Sequence, residues 1–477
     1  VSRVICYLSS APFVSARVPL FSLSRHSPHH TDPQALEAFY ADRRLMWWNV
    51  IYIGIANLGW ALVFGIVGNL MRKKLLDLGV MENIQGTMNG INNLAVMFLV
   101  MLFSWMSDHT VSRVGRRKPY FFISAPFIIA TVVLFPFFSV AKFVWLLLVM
   151  QVISMLFMDL KMSTFSLIMI DCVPRKLLGR TNSIFGIVSG VAGFIAMFEA
   201  GWLISLGEWV PYVLGGAVMI LTTLCACLIR EPPVYHPPKE PFKPWSTFKV
   251  AALDKRVFVL MAGVALVGAY GYSNVLWQLF WCTEKLKLTL GDIFKVLAWT
   301  QLANMALAYP IGWVIDRFGG LKVVVAFFVL NTVCFFCQLH IHDKSGLLLF
   351  VLAQTVIGPL YSAADIMVYK SAPEQDVGSI TSTNAFFRNA FGGIFSIVSG
   401  LVISWAAHNY LVGFILGQII STIGMVLFFI HAWLIRTGPP PPAQTAVDNG
   451  TSSESAAGKK MVEPTAKSDP LCPPAPA

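Results

Sequence analysis

About twelve stretches of this chain are apolar enough and long enough to cross a lipid bilayer, and no other feature narrows its possible folds so far. A helix rises about 1.5 Å per residue, so roughly 20 residues cover the ~30 Å of hydrocarbon. The runs centre near Leu58, Ala95, Ile129, Met155, Phe194, Met219, Leu266, Asn304, Leu330, Gly358, Phe395 and Gly424. Inside lipid each backbone N–H and C=O must find its partner within the segment, so such runs fold as helices. The fold class predicted is an all-α polytopic membrane protein with twelve transmembrane helices. Composition agrees: 56% of the 477 residues are hydrophobic and 12% charged, against about 25% charged in soluble domains. A net charge of +11 would suit a nucleic-acid partner. The basic residues, however, sit in loops between apolar runs, where they set membrane orientation instead, and no nucleic-acid partner is expected. Loops on the side of Arg116 carry about nineteen Lys and Arg and the opposite loops about eight, which places both termini in the cytoplasm. The expected location is a cell (inner) membrane, multi-pass, with the bilayer as partner and the chain as a monomer.

The chain divides by composition. Residues 1–44 hold no acid before Asp32, and their short apolar piece, Ile5 to Val14, is broken by Pro12 and lacks a convincing cleavage site. They read as a disordered extension. Residues 45–230 form a first half, and 231–255, opening EPPVYHPPKEPFKPW at Glu231, a cytoplasmic linker rich in Pro and Lys. Residues 256–437 form a second half, and 438–477, with PPPPA and a Ser, Ala, Lys and Pro mixture, a disordered tail. The halves repeat: Pro174, Gly179, Gly193, Gly201, Ile204 and Ser205 recur 199 positions later as Pro373, Gly378, Gly392, Gly400, Ile403 and Ser404. Gly and Pro constrain backbone, so shared positions imply shared geometry.

Between the second and third runs lies SDHTVSRVGRRKPY, Ser107 to Tyr120, with an acid at Asp108, a glycine at Gly115 and the cations Arg116, Arg117 and Lys118. A weaker copy, GWVIDRFGGLK, carries Asp316, Arg317 and Gly319 in the second half. This acid-glycine-basic hairpin, once per half, resembles the loop signature of the major facilitator superfamily of secondary transporters. The spacing of the first copy is similar to the glycoside-pentoside-hexuronide:cation symporters, the melibiose permease family, and to plant sucrose carriers. The resemblance implies two parallel six-helix repeats with substrate held near midplane between them. It also implies a gating role for the hairpins, in which Asp108 and Asp316 meet basic groups or helix ends, with Arg116, Arg117 and Lys118 as local partners.

Intramembrane charge costs about 2.5–3.5 kcal/mol at a helix centre on insertion scales, so charged groups there point to function. Asp159 lies mid-way along the fourth run, Glu199 toward the outer part of the fifth, Asp365 in the tenth and Arg388 in the eleventh. Lys161 is two residues from Asp159 and so faces elsewhere on a helix; it is read as snorkelling or lining the far wall of a cavity. Asp365 and Arg388 either neutralise one another or belong to the transport site, and Asp159 is either a hydrogen-bonded structural acid or a substrate ligand. MDLKMSTFSLIMID, Met158 to Asp171, is similar to the fourth helix of the melibiose permease family. The resemblance implies that Asp159 binds sugar hydroxyls, matches Asp171 to a second family acid, and puts Arg388 where that family has a Lys. The chain departs from the family at its sodium site, where two helix-two acids fall on Val96 and Val100, and it lacks an Arg expected in the fifth helix.

The amides Asn89, Asn92 and Asn93, and Gln301 and Asn304, serve either as glue between helices or as cavity donors, and Asn274, Trp277 and Gln278 are further candidates for cavity donors. Candidate substrate-binding residues are therefore Asp159, Arg388, Asn92, Asn93, Trp277 and Gln278, with Asp159 and Asp365 as candidates for ion coupling. Cys334 and Cys337 form a C-x-x-C at lipid depth, where small packing residues are expected rather than a metal or redox pair. The sequence holds no H-E-x-x-H, no G-x-S-x-G and no phosphate loop, so no catalysis, cofactor or metal is expected. The function expected is secondary active transport by alternating access of a small polar solute, a sugar or glycoside, coupled to protons rather than sodium. The alternatives are a carrier of another solute, such as a lipid or organic anion, and a non-transporting membrane sensor on the same fold.

Overall fold

A computed structural model describes residues 38–110, 112, 115–173, 178–232, 255–355, 364, 367–368 and 377–437. The secondary structure of these residues is helical, with no strand among them. In chain order the elements are α1 (Arg43–Leu62), a π-helical turn (Val63–Val67), α2 (Gly68–Asp77), α3 (Glu82–His109), α4 (Lys118–Val140), α5 (Val144–Cys172), α6 (Leu178–Leu206) and α7 (Val210–Ala226). Then come α8 (Lys255–Val267), α9 (Ala269–Glu284), α10 (Leu290–Phe318), α11 (Gly320–Gln338), α12 (Lys344–Gln354), α13 (Val377–Trp405) and α14 (Tyr410–Thr437). Eight spans are long and apolar enough to cross a membrane among the described residues, one of them formed by α8 and α9 together. The chain is thus a multi-pass integral membrane protein. The expected extension 1–44 and tail 438–477 lie largely outside the described residues, as do most of the linker 231–255 and the region around Gly358. Residues up to His431 form one unit; Ala432 to Thr437, the end of α14, belong to a second that runs to Ala477.

The surface fits a lipid environment. Trp145, Trp202, Trp209 and Trp405 are exposed at helix ends away from Arg116, and Trp47, Trp48 and Trp313 near the Arg116 end. Amphipathic indoles collect at the two headgroup levels of a bilayer, so these rings mark its edges. Between them Ile123, Phe127, Val149, Ile195, Val329 and Ile423 present apolar side chains outward. Polar groups turn inward instead. Tyr270 donates to Gln338 Oε1 (2.7 Å), Gln338 Nε2 to Asn274 Oδ1 (3.1 Å) and Asn331 Nδ2 to Gln418 Oε1 (3.2 Å). Asn274 thereby joins α9 to α11 and completes its bonding with the Tyr270 carbonyl at 3.0 Å.

The π turn in the first helix has a local account. An extra residue in the turn puts the Gly68 N–H on the Val63 carbonyl and disturbs the ordinary ladder. Asn69 Nδ2 donates to the Gly65 carbonyl at 2.7 Å, and Arg72 in turn donates to Asn69 Oδ1 at 2.6 Å. A carbonyl that the ladder would otherwise serve is satisfied by a side chain.

Close helix crossings occur where glycine removes the side chain. The most extensive packing joins α3 to α13 and α6 to α10, so each pairing crosses from the first half of the chain to the second. A Cβ on Gly201 would lie 3.0 Å from the Gly291 Cα; one on Gly400 would lie 2.7 Å from the Glu82 carbonyl oxygen. Both contacts fall toward the end away from Arg116. The helices α6 and α13 are each 29 residues long and begin and end 199 positions apart, 178 to 377 and 206 to 405.

Candidate functional site

Asp159 sits at the middle of α5, half-buried, and accepts a hydrogen bond from Asn92 Nδ2 of α3 at 3.1 Å. Asn92 is buried, and its Oδ1 has no hydrogen-bond partner among the described residues. Asn57 of α1 makes a parallel case: its Nδ2 donates to Ser189 Oγ of α6 at 2.8 Å and its Oδ1 has no partner. Asn92 and Asp159 thus tie α3 to α5, and Asn57 and Ser189 tie α1 to α6, and in each pair one buried amide oxygen is unfilled among the described residues. A buried polar atom without a partner costs about 1–3 kcal/mol, so such a group is kept where something else fills it. The carboxylate and the two amide oxygens are all acceptors. They suit a solute that offers O–H or N–H donors.

Other candidates fall elsewhere. Asn93 is half-buried on α3, and Val96, where the sodium-binding acid of the resemblance would stand, is buried one turn beyond Asn92. Trp277 is buried in an apolar cluster of the second half, and its Nε1 donates to Ser399 Oγ at 3.1 Å. Gln278 and Arg388 are half-buried on α9 and α13. Asp365 lies outside the described residues, and so do the side chains of Asp108 and Asp316, although both backbones lie in helices, α3 and α10. Glu199 is exposed on α6. Lys161 neither snorkels nor lines an open wall. It is 1% exposed between α4, α5 and α7, its Nζ 2.6 Å from Met219 Sδ, 3.3 Å from Thr223 Oγ1 and 4.5 Å from the Phe121 ring centre. Its stem of methylenes is long enough to carry the ammonium inward to these acceptors rather than out to the interface.

The basic hairpin forms a second polar centre. Arg116 and Arg117 both reach Asp171 at the end of α5, Arg117 Nε at 2.5 Å, while Arg117 Nη1 donates to Ser107 Oγ at 3.2 Å. Glu231, just beyond α7, takes the backbone: its carboxylate accepts from the N–H of Arg116 (2.6 Å), Arg117 (3.3 Å) and Lys118 (3.1 Å). Those amides open α4, and an anion there meets both unpaired N–H groups and the positive end of the helix dipole. Among the described residues Asp171 thus meets the two guanidinium groups, Glu231 the backbone amides, and the Lys118 ammonium donates to the Cys227 carbonyl at 3.4 Å. Glu231, read from sequence as the first residue of a linker, was missed; an acid directly after an apolar run on the basic side of the chain is the signal that marks it. Gly115 allows this approach, with φ at +133° and space where a Cβ would come within 2.7 Å of the Glu231 carboxylate. In the second hairpin Arg317 lies 5.0 Å over the Trp313 ring, and Gly319 takes φ +84° to start α11.

A carboxylate and an amide meet between α3 and α5 at mid-depth, a charged turn ties the start of α4 to the end of α5 and to Glu231, and long helices cross between the two halves of the chain. Together these define a membrane carrier rather than an enzyme. The Major Facilitator Superfamily model matches residues 50–294 and 269–465, and the chain belongs to that superfamily. It is accordingly a secondary transporter that moves a solute across a membrane. No curated protein matches it in sequence. Among solved structures, a point mutant of the nucleoside transporter NupG is similar with a TM-score of 0.66 at 15% identity, covering 81% of this chain and 99% of that chain. NupG itself gives 0.62 at 15% identity, over 82% and 99%. A bacterial homolog of the human lysosomal transporter Spinster, in an inward-facing and unoccupied conformation, gives 0.61 at 13% identity, over 84% and 98%. These likenesses concern the fold.

Proposed function

We propose that the chain carries a small, neutral, donor-rich solute by alternating access between two repeats of six helices, with Asp159 and Asn92 as its hydrogen-bond acceptors. The observation that carries this reading is the pair itself: a mid-helix carboxylate held by one amide whose own oxygen is buried and unfilled. Hydroxyl donors of sugars suit it, and so do those of a nucleoside, whose ribose brings the same groups. The nucleoside class is favoured by the likeness to the nucleoside transporter NupG, and the sugar class by the resemblance of Met158 to Asp171 to the melibiose permease helix. Anionic solutes fit less well, because the acceptors gathered here repel them. The test is counterflow by the purified protein in liposomes against labelled nucleosides and sugars. Asp159→Asn keeps the shape of the side chain and removes its charge, so affinity for the solute should fall about ten-fold or more, the cost of one charge-assisted hydrogen bond. Unchanged affinity in that variant would overturn the assignment.

A further inference from the structure

We infer that Glu82, His408 and Tyr410 form a proton-responsive latch that holds the two halves of the chain together at the end away from Arg116; the inference rests on the alternating-access reading above. Glu82 opens α3 and is 2% exposed. Tyr410 donates to its Oε1 at 2.6 Å, and His408 Nδ1 stands 2.7 Å from its Oε2. These partners lie 326 and 328 residues further along the chain, so a single buried carboxylate joins the start of α3 to the turn between α13 and α14.

The turn that presents the imidazole is unusual. Ala407 and His408 take φ of +53° and +63°, a left-handed conformation that non-glycine residues adopt rarely and keep only where the surroundings enforce it. That conformation aims the ring at Glu82. The side chain is nevertheless 58% exposed beside a cleft of about 400 Å³, so protons reach it from the adjoining solution. Asp77 of α2, Glu82 of α3, Glu284 of α9 and Tyr410 of α14 line this cleft. The nearby cation, Lys73, is held by Asp77 and Glu284. Three carboxylates, Asp77, Glu82 and Glu284, therefore share the cleft with the imidazole, and Glu82 touches it.

A neutral ring can give Glu82 one hydrogen bond, and a protonated ring adds a full charge to it, which roughly doubles such a bond. Imidazole changes charge between about pH 5 and about pH 8. Protonation thus strengthens the closed arrangement, and loss of the proton weakens it as pH rises. The neighbouring ties among the described residues are Arg72 to the Val275 carbonyl at 3.3 Å, Lys73 to Glu284 at 3.4 Å and Asn89 to Ser396 Oγ at 2.9 Å, and none of them includes an imidazole.

The experiment uses the full chain in liposomes, with ketone-bearing residues replacing the exposed loop positions Lys142 and His342 and carrying spin labels, so that native cysteines are untouched. Distances are recorded at about pH 5 and about pH 8. The latch predicts two populations, with the short-distance one favoured about five-fold more in acid, and His408→Gln and Glu82→Gln each fixing the ratio near its alkaline value. A pH response that survives His408→Gln, or two populations whose ratio ignores pH in the unmodified latch, would overturn the latch and leave alternating access standing. A single distance at every pH, with and without solute, would overturn both.

Discussion

At the scale of the residue, the basic hairpin shows how much depends on one missing side chain. Gly115 leaves room for the Glu231 carboxylate to reach three successive amides at the start of α4, and no other residue could hold φ of +133° there without strain. Gly115→Ala and Glu231→Gln should each destabilise the protein by about 1 kcal/mol, read as a lower melting temperature in detergent. Because both act through one contact, the double variant should lose clearly less than the sum of the two. Additive losses would show that Gly115 matters for its backbone alone. The importance of this stretch was legible in the order of acid, glycine and cations. Its partners were not: Asp171 and Glu231 lie 55 and 115 residues from Arg116, and spacing along the chain carries no information about contacts at that range. Lys161 was misread for a related reason. Separation from Asp159 by two positions fixes that it faces another way, but not that the direction holds a thioether, a hydroxyl and an aromatic face.

At the scale of the element, the positions that recur after 199 residues acquire a physical meaning. Gly201 and Gly400 sit near the ends of α6 and α13 and meet α10 and α3 where helices touch backbone to backbone. Without a hydrophobic driving force in lipid, helices associate through such close van der Waals packing. A leucine at either site would have nowhere to go, since the nearest atoms are the Gly291 Cα and the Glu82 carbonyl rather than movable side-chain tips. Gly201→Leu and Gly400→Leu should therefore separate the crossing at the end away from Arg116 and cost about 1–3 kcal/mol, the scale of overpacking. Faster hydrogen exchange at the start of α10 in the first variant and of α3 in the second would register it; unchanged exchange would mean that the crossing adjusts without opening. The recurrence and the identity of the glycines were visible in the sequence. Which helix each one touches was not, because glycine marks a close approach without naming the neighbour.

At the scale of the whole molecule, several described ties between the halves gather toward one end. The cluster of Arg116, Arg117, Asp171 and Glu231 lies within the first half of the chain, whereas Arg72 to Val275, Lys73 to Glu284, Glu82 to His408 and Asn89 to Ser396 all join the first half to the second. These ties hold the two halves together at the end away from Arg116, the arrangement that the proposed alternating access asks of one of its states. The chemistry that drives such a carrier follows from what surrounds Asp159. Sodium needs several oxygen ligands about one point, and beside Asp159 the chain offers Asn92, while Val96, one turn further along α3, turns a buried apolar side chain inward. With Asp159 and Asn92 alone a sodium ion would be under-coordinated, which motivates the expectation of proton coupling. A proton asks for one group whose surroundings change between states, and Asp159 meets that condition if solute or a neighbouring helix approaches it in one state and water in the other. Uptake into proteoliposomes should accordingly rise under an inward proton gradient and ignore an equal sodium gradient at constant pH, and Asp159→Asn should abolish the proton effect while leaving exchange of bound solute measurable. Stimulation by sodium alone would refute proton coupling, and stimulation by neither would make the protein a uniporter in which Asp159 serves the solute alone.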